Sequence, residues 1–135
     1  MSLPFLDTNI LLRHFTGDHH DHSPRATAYL GRVDQGEIQV QCADTVIFET
    51  AYTLEKFYGV PRSLVRDLLT RFIDLPAVTL PGKPRWHRAL EIFVEQSVSV
   101  TDAYHVALME DLGLDTIISF DRGFDKIAGI VRVEP

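Results

Sequence analysis

The 135-residue sequence predicts an α/β domain in which a mainly parallel five-stranded sheet lies between layers of helices, and three observations support this. Short apolar runs alternate with helical patterns from end to end, the rhythm of strand–helix–strand units. The length suits one domain able to bury its own core. No repeat, low-complexity segment or linker interrupts it, so residues 1–135 read as a single domain. With 45% hydrophobic and 24% charged residues the balance is that of a globular protein, which excludes a disordered chain.

Leu3 to Leu6 reads as a first buried strand. A short helix follows from Ile10 to Phe15, with Thr8 or Asn9 suited to cap it. Gly17 and Asp18-His19-His20-Asp21-His22 form a polar loop. Ser23-Pro24 opens a second helix, because a Ser cap and a Pro in the first turn are favoured there; it ends near Gly36. Ile38, Val40 and Cys42 alternate with polar neighbours and form a half-buried strand. Asp44 or Thr45 begins a helix to Tyr58, stopped by Gly59. Pro61 starts another, with Leu64, Leu68, Leu69, Phe72 and Ile73 at helical spacing, and Pro76 ends it. Ala77 to Leu80 is the third strand. Pro84 to Gln96 is a helix whose Trp86, Leu90, Phe93 and Val94 face inward. Thr101 to Leu112 is the next, terminated by Gly113 in the left-handed conformation. Thr116 to Phe120 is the fourth strand, Asp121 to Ile127 a short helix, and Ile130 to Val133 the fifth strand.

Cys42 is the one cysteine, so an internal disulfide is ruled out and a reducing cytoplasm is the expected setting. The start of the chain lacks the basic, apolar pattern of a signal peptide. No apolar stretch reaches the length of a membrane span. The formal charge of −6 argues against a nucleic-acid partner only if the acids are left bare. Arg62, Arg66 and Arg71, and again Lys83, Arg85 and Arg88, form basic groups that suit either phosphate contact or solvated helix faces.

The acids are placed tellingly. In a parallel sheet all strands point one way, and ligands bind beyond their carboxyl ends. Asp7 follows the first strand and Asp121 the fourth, so the two are expected at one edge. At 100° per residue, Asp102 shares a helix face with His105, Val106 and Met109, which is the apolar face. A carboxylate there must be capped, paired or bound to metal. Glu49 borders the apolar stripe of its helix, roughly 7–8 Å along the axis from its start. Taken alone, an Asp at a helix start is more often a cap than a ligand, and a helical Glu such as Glu49 is by default exposed. Several converging carboxylates would repel and raise one another's pKa, a conflict that a divalent cation relieves. An all-oxygen set favours Mg2+ or Mn2+ over zinc. His19, His20 and His22 offer a transition-metal alternative, but such near neighbours reach one ion with poor geometry.

Four segments carry a family resemblance. Phe5-Leu6-Asp7-Thr8-Asn9-Ile10-Leu11 resembles the opening motif of PIN domains, and Val46-Ile47-Phe48-Glu49-Thr50-Ala51 their glutamate-bearing segment. Val100-Thr101-Asp102-Ala103-Tyr104-His105-Val106-Ala107-Leu108 is similar to the third motif, and Ile118-Ser119-Phe120-Asp121-Arg122-Gly123-Phe124-Asp125-Lys126-Ile127 to the last. Order, spacing and length agree over essentially the whole chain, and the likeness is strongest to VapC-type toxins of toxin–antitoxin systems. The resemblance implies a PIN-like (Rossmannoid) fold and a metal-dependent endoribonuclease leaving a 5′-phosphate and a 3′-hydroxyl. It implies that Asp7, Glu49, Asp102 and Asp121 are the catalytic, metal-binding acids, supported by Thr8, Asn9 and Ser119, with Asp125 assisting or replacing Asp121. One or two ions are expected: one at Asp7, Asp102 and Asp121, another at Glu49 and a shared aspartate. Arg13, His14, Arg122 and Lys126 stand where they could steer phosphate. Tyr104 departs from the small or aliphatic residue common at its position.

The resemblance also implies a homodimer, with the helices around Leu64 to Ile73 and Trp86 to Val94 as interface candidates, and a small antitoxin that covers the acids. Other readings are a stand-alone RNA-processing nuclease and, from a different class, a non-catalytic α/β binding module whose acids only cap helices. Aspartate-dependent phosphoryl transfer fits poorly, because it needs a second Asp where this chain has Asn9.

Overall fold

A computed structural model describes residues 2–135, which fall into two compact units, Met1–Lys83 and Pro84–Pro135. The first contains helices α1 (Thr8–Thr16), α2 (His22–Asp34), α3 (Asp44–Lys56) and α4 (Arg62–Ile73), with strands β1 (Val40–Gln41) and β2 (Val78–Thr79). β1 and β2 are parallel, with Val40 opposite Val78. Successive amides of a strand point to opposite sides, and β1 uses both. Val40 and Cys42 donate to the carbonyls of Ala77 and Thr79 at 2.9 and 2.8 Å, while Gln41 donates the other way to Pro4 at 2.8 Å. The spatial order in this unit is therefore the Leu3–Leu6 segment, β1, then β2.

The first strand is shorter and less buried than expected. It is reduced to one parallel bridge between Phe5 and Gln41. Leu6 is buried, but its neighbour Phe5 faces the opposite way and is 59% exposed. The alternation of an extended chain separates these two side chains although both are apolar.

Asp7, rather than Thr8 or Asn9, caps α1: its Oδ1 accepts from the Thr8 amide at 2.9 Å. Thr8 is itself buried. α1 ends at Gly17 in the left-handed conformation, and it packs on both α2 and α3. α2 begins one residue earlier than Ser23 because His19 caps it. The His19 Nδ1 accepts from the amides of His22 and Asp21 at 2.9 and 3.2 Å. Ser23 Oγ accepts from the His19 amide at 3.1 Å, which closes the turn reciprocally. Leu11, Ile47, Leu54, Val65, Leu69 and Ile73 form the centre of this unit's core, whereas Leu64 is exposed.

The second unit contains most of α5 (Lys83–Glu95), then α6 (Val100–Leu112), β3 (Thr116–Ile118), a 3-10 helix (Arg122–Lys126) and β4 (Val131–Val133). Trp86, Ala89, Leu90 and Phe93 of α5 are fully buried, and the Trp86 ring lies 4.8 Å from that of Tyr104 on α6. The apolar residues of α5 are thus core rather than a free interface. Val94, expected inward, is only half-buried. Gly113 ends α6 with φ 69°, as its position suggested. β3 and β4 pair in parallel, with Ile117 opposite Arg132. One face of this pair holds the Arg132 guanidinium, which donates to Asp125 at 2.8 Å, Glu134 at 2.7 Å and the Ser119 carbonyl at 3.1 Å. On alternate positions Ile118 (71% exposed), Val131 and Val133 are exposed.

Among the described residues all the pairings are parallel. They appear as two two-stranded ladders with a further bridge at Phe5, where five longer strands in one sheet were expected.

Candidate active site

The second unit brings two of the expected acids together. Asp102 sits in the first turn of α6, which Ser99 caps: the Ser99 Oγ accepts from the Asp102 amide at 3.0 Å. Ser99-x-x-Asp102 is the spacing of a reciprocal cap, a sequence signal that places the helix start ahead of the Thr101 expected from periodicity. Asp121 follows β3 and caps the 3-10 helix, its Oδ1 accepting from the Gly123 amide at 2.8 Å. The Asp121 amide in turn donates to Ser119 Oγ at 3.0 Å. The Asp121 carboxyl and the turn that carries Asp102 are therefore fixed by local bonds. A Cβ on Gly123 would meet Asp121 Oδ1 at 3.0 Å, so a larger residue there would push the Asp121 carboxyl aside.

The Asp102 pKa is raised, first by burial and then by the neighbouring Asp121 carboxyl. The Ser99 bond and the charge of His105 oppose the rise. His105 Nδ1 lies 3.9 Å from Asp102 Oδ1. Sequence periodicity put His105 on an apolar face. Instead that face opens to solvent at its beginning, where Asp102 is 23% and His105 50% exposed.

In the first unit, Asp7 is exposed at the start of α1, with Thr8 buried and Asn9 exposed beside it. Glu49 is exposed in the second turn of α3, and α1 packs on α3. Among the described residues no group of three or more His, Cys, Asp or Glu has metal-ligand spacing. The acids expected to converge thus appear as a close pair in one unit and two exposed carboxylates in the other. The chemistry of the close pair suits a hard divalent cation. Two neighbouring carboxyls, one of them resisting ionisation, form the kind of oxygen donor set that such a cation takes.

Asp125 is engaged elsewhere, held by Arg132 at 2.8 and 3.3 Å with its pKa lowered by that contact. Several of the basic residues considered for phosphate are also in ion pairs. Arg62 meets Glu55 at 2.6 Å, Arg66 meets Asp67 at 3.0 Å, Arg85 meets Asp111 at 2.7 Å and Arg88 meets Glu110 at 2.9 Å. Lys83 donates to the Leu75 carbonyl at 3.1 Å. Arg122 and Lys126 are exposed beside Asp121. The histidine loop is a stack rather than a chelate: His19 lies 3.9 Å from His22 and 5.1 Å from His20, ring to ring, and its Nδ1 is taken by backbone amides.

No helix is long and apolar enough to cross a membrane among the described residues. The family model described as PIN domain matches residues 5–130. No curated protein matches the chain.

Proposed function

Since the chain belongs to the PIN-domain family, a family of metal-dependent nucleases, we propose that it is an endoribonuclease using Mg2+ or Mn2+. Its products carry a 5′-phosphate and a 3′-hydroxyl. In this reading Asp7, Glu49, Asp102 and Asp121 are the catalytic acids and hold one or two ions, supported by Thr8, Asn9 and Ser119. Asp125 is an auxiliary carboxylate. The observation that carries the proposal is the match of the PIN-domain model over residues 5–130, with Asp102 near enough to Asp121 for its pKa to be raised by it.

When bound, the ion neutralises charge on the phosphate and activates the attacking water. The chain's own residues prepare for it. Asp102 and Asp121 would offer it carboxylate oxygens, and the raised Asp102 pKa makes proton and ion competitors for that carboxyl. The Gly123 amide holds the Asp121 carboxyl, and the Ser119 hydroxyl accepts from the Asp121 backbone amide. Ser99 fixes the turn that presents Asp102. Preset carboxylates spare the reorganisation that would otherwise accompany charge development.

The same reading makes the chain the toxin of a type II toxin–antitoxin pair similar to the VapC type. It is homodimeric and silenced by a small antitoxin whose cationic side chain pairs with the acids.

The test is incubation of the purified protein with total RNA in magnesium, in manganese and in EDTA, beside Asp7→Asn and Asp102→Asn. Cleavage should need metal and vanish in both variants. Activity retained by Asp102→Asn, or undiminished in EDTA, would sink the assignment. Expression of the wild type in bacteria should arrest growth and Asp7→Asn should relieve the arrest; unimpaired growth would remove the toxin role.

A further inference from the structure

α1 and α2 pack side by side and leave a groove of about 530 Å³ between them, within the range of small-ligand sites. It starts on the helix that Asp7 caps. One wall carries Asn9 and Arg13, one turn apart on α1. The other carries His22, Arg25 and Tyr29 in a single stripe of α2, over a floor that includes Ala26. Three side chains that are or can become cations and an amphipathic aromatic line this space, and no carboxylate does.

Arg13 and Arg25 have acidic partners outside the lining, Asp18 at 3.0 Å and Asp21 at 3.2 Å. Each contact uses one guanidinium nitrogen and leaves the remaining donors for a second acceptor. Arg25 is 73% exposed in its pair, where such bridges are weak and a phosphate can compete. His22 is not a loose side chain: its ring stacks on His19 at 3.9 Å, and its amide donates to His19 Nδ1. The histidine loop thereby holds an aromatic ring at the groove's edge. Guanidinium groups interleaved with flat rings are what single-stranded nucleic acid needs, cations for the backbone and π-faces for splayed bases.

Resting on the nuclease reading above, we propose that the α1–α2 groove is a subsite for single-stranded RNA, in which Arg13 and Arg25 contact phosphate and His22 and Tyr29 stack on bases. It names a place where the substrate lies beyond the scissile bond.

Binding of fluorescein-labelled oligouridine is followed by anisotropy, using full-length Asp102→Asn protein so that the RNA survives. Adding Arg25→Gln should lower the slope of log affinity against log salt by about 0.7, the value for one phosphate contact on a single strand. Adding Tyr29→Ala should weaken binding at least about fivefold, the low end for a stacked base, whereas Tyr29→Phe should bind like the parent. Unchanged binding and slope in both variants, or no binding by the parent, overturns the subsite. So does an oligoglutamate peptide that displaces the RNA and loses more affinity than RNA does in the same variants, since the groove would then be a protein-docking site. Cleavage by the wild type is measured in parallel. RNA that is cut while the variants bind normally removes the groove and leaves the nuclease. Weakened binding by the variants, with no cleavage by the wild type in any metal, leaves the groove and removes the nuclease.

Discussion

Asp102 binds its proton more readily than an ordinary aspartate because it is half-buried and faces a second carboxyl. A raised carboxyl pKa stabilises the folded, metal-free protein fully below the ordinary value of 3.8, and that contribution is lost as pH rises through the raised value. At neutral pH the pair is therefore a strain on the empty protein. Asp102→Asn, neutral at every pH and able to donate to Asp121, is expected to melt at or above the wild type in EDTA. Magnesium should raise the melting temperature of the wild type and not of the variant. A variant that melts several degrees lower in EDTA would mean that the pair does not repel. Because ion and proton compete for one carboxyl, metal affinity should begin to fall on acidification while pH is still above the ordinary aspartate range. Asp18 has the opposite sign. Bonds from Tyr58 at 2.6 Å, Thr16 at 2.8 Å and Arg13 at 3.0 Å hold its carboxyl well below the usual range. Its contribution is lost as pH falls below the ordinary aspartate value.

The turns that present these acids are the elements to perturb next. Removing the Ser99 hydroxyl frees the Asp102 amide, and loss of such a cap typically costs about 1 kcal/mol. Ser99→Ala should lower the melting temperature by a few degrees and accelerate amide exchange at Asp102. An exchange rate equal to wild type would show that the cap does not hold the turn. The helices were largely legible in the sequence because their apolar stripes, with Gly113 and Pro61 as punctuation, are local signals. Strand positions were legible for the same reason, but their lengths were not. Pairing depends on the neighbouring strand, which is why Leu3 to Leu6 yields only the Phe5 bridge. Among the site residues, the close pair of Asp102 and Asp121 follows from helix start and strand end. The bond from Tyr58 to Asp18 joins residues forty positions apart, and no periodicity announces it. His19 was read as part of a solvated loop, because a ring nitrogen acting as a helix cap has no composition signature.

Considered as a molecule, the chain has an uneven charge pattern. Its −6 total coexists with a groove free of carboxylates, so low overall affinity for nucleic acid need not prevent local capture. The proposal of a single domain over residues 1–135 has its own consequence: both units should unfold in one transition. The sequence supplies the means of checking. Trp86 is the one tryptophan and Cys42 the one cysteine; they lie in different units, and each is sealed from water. Burial pushes the Cys42 thiol up to about 11, so it should resist thiol reagents until its surroundings open. Across a denaturant series, the red shift of Trp86 emission and the onset of Cys42 labelling should share one midpoint. Separate midpoints would mean independent folding. The chain thus comes with an optical reporter in one half and a chemical reporter in the other, and neither requires a substitution.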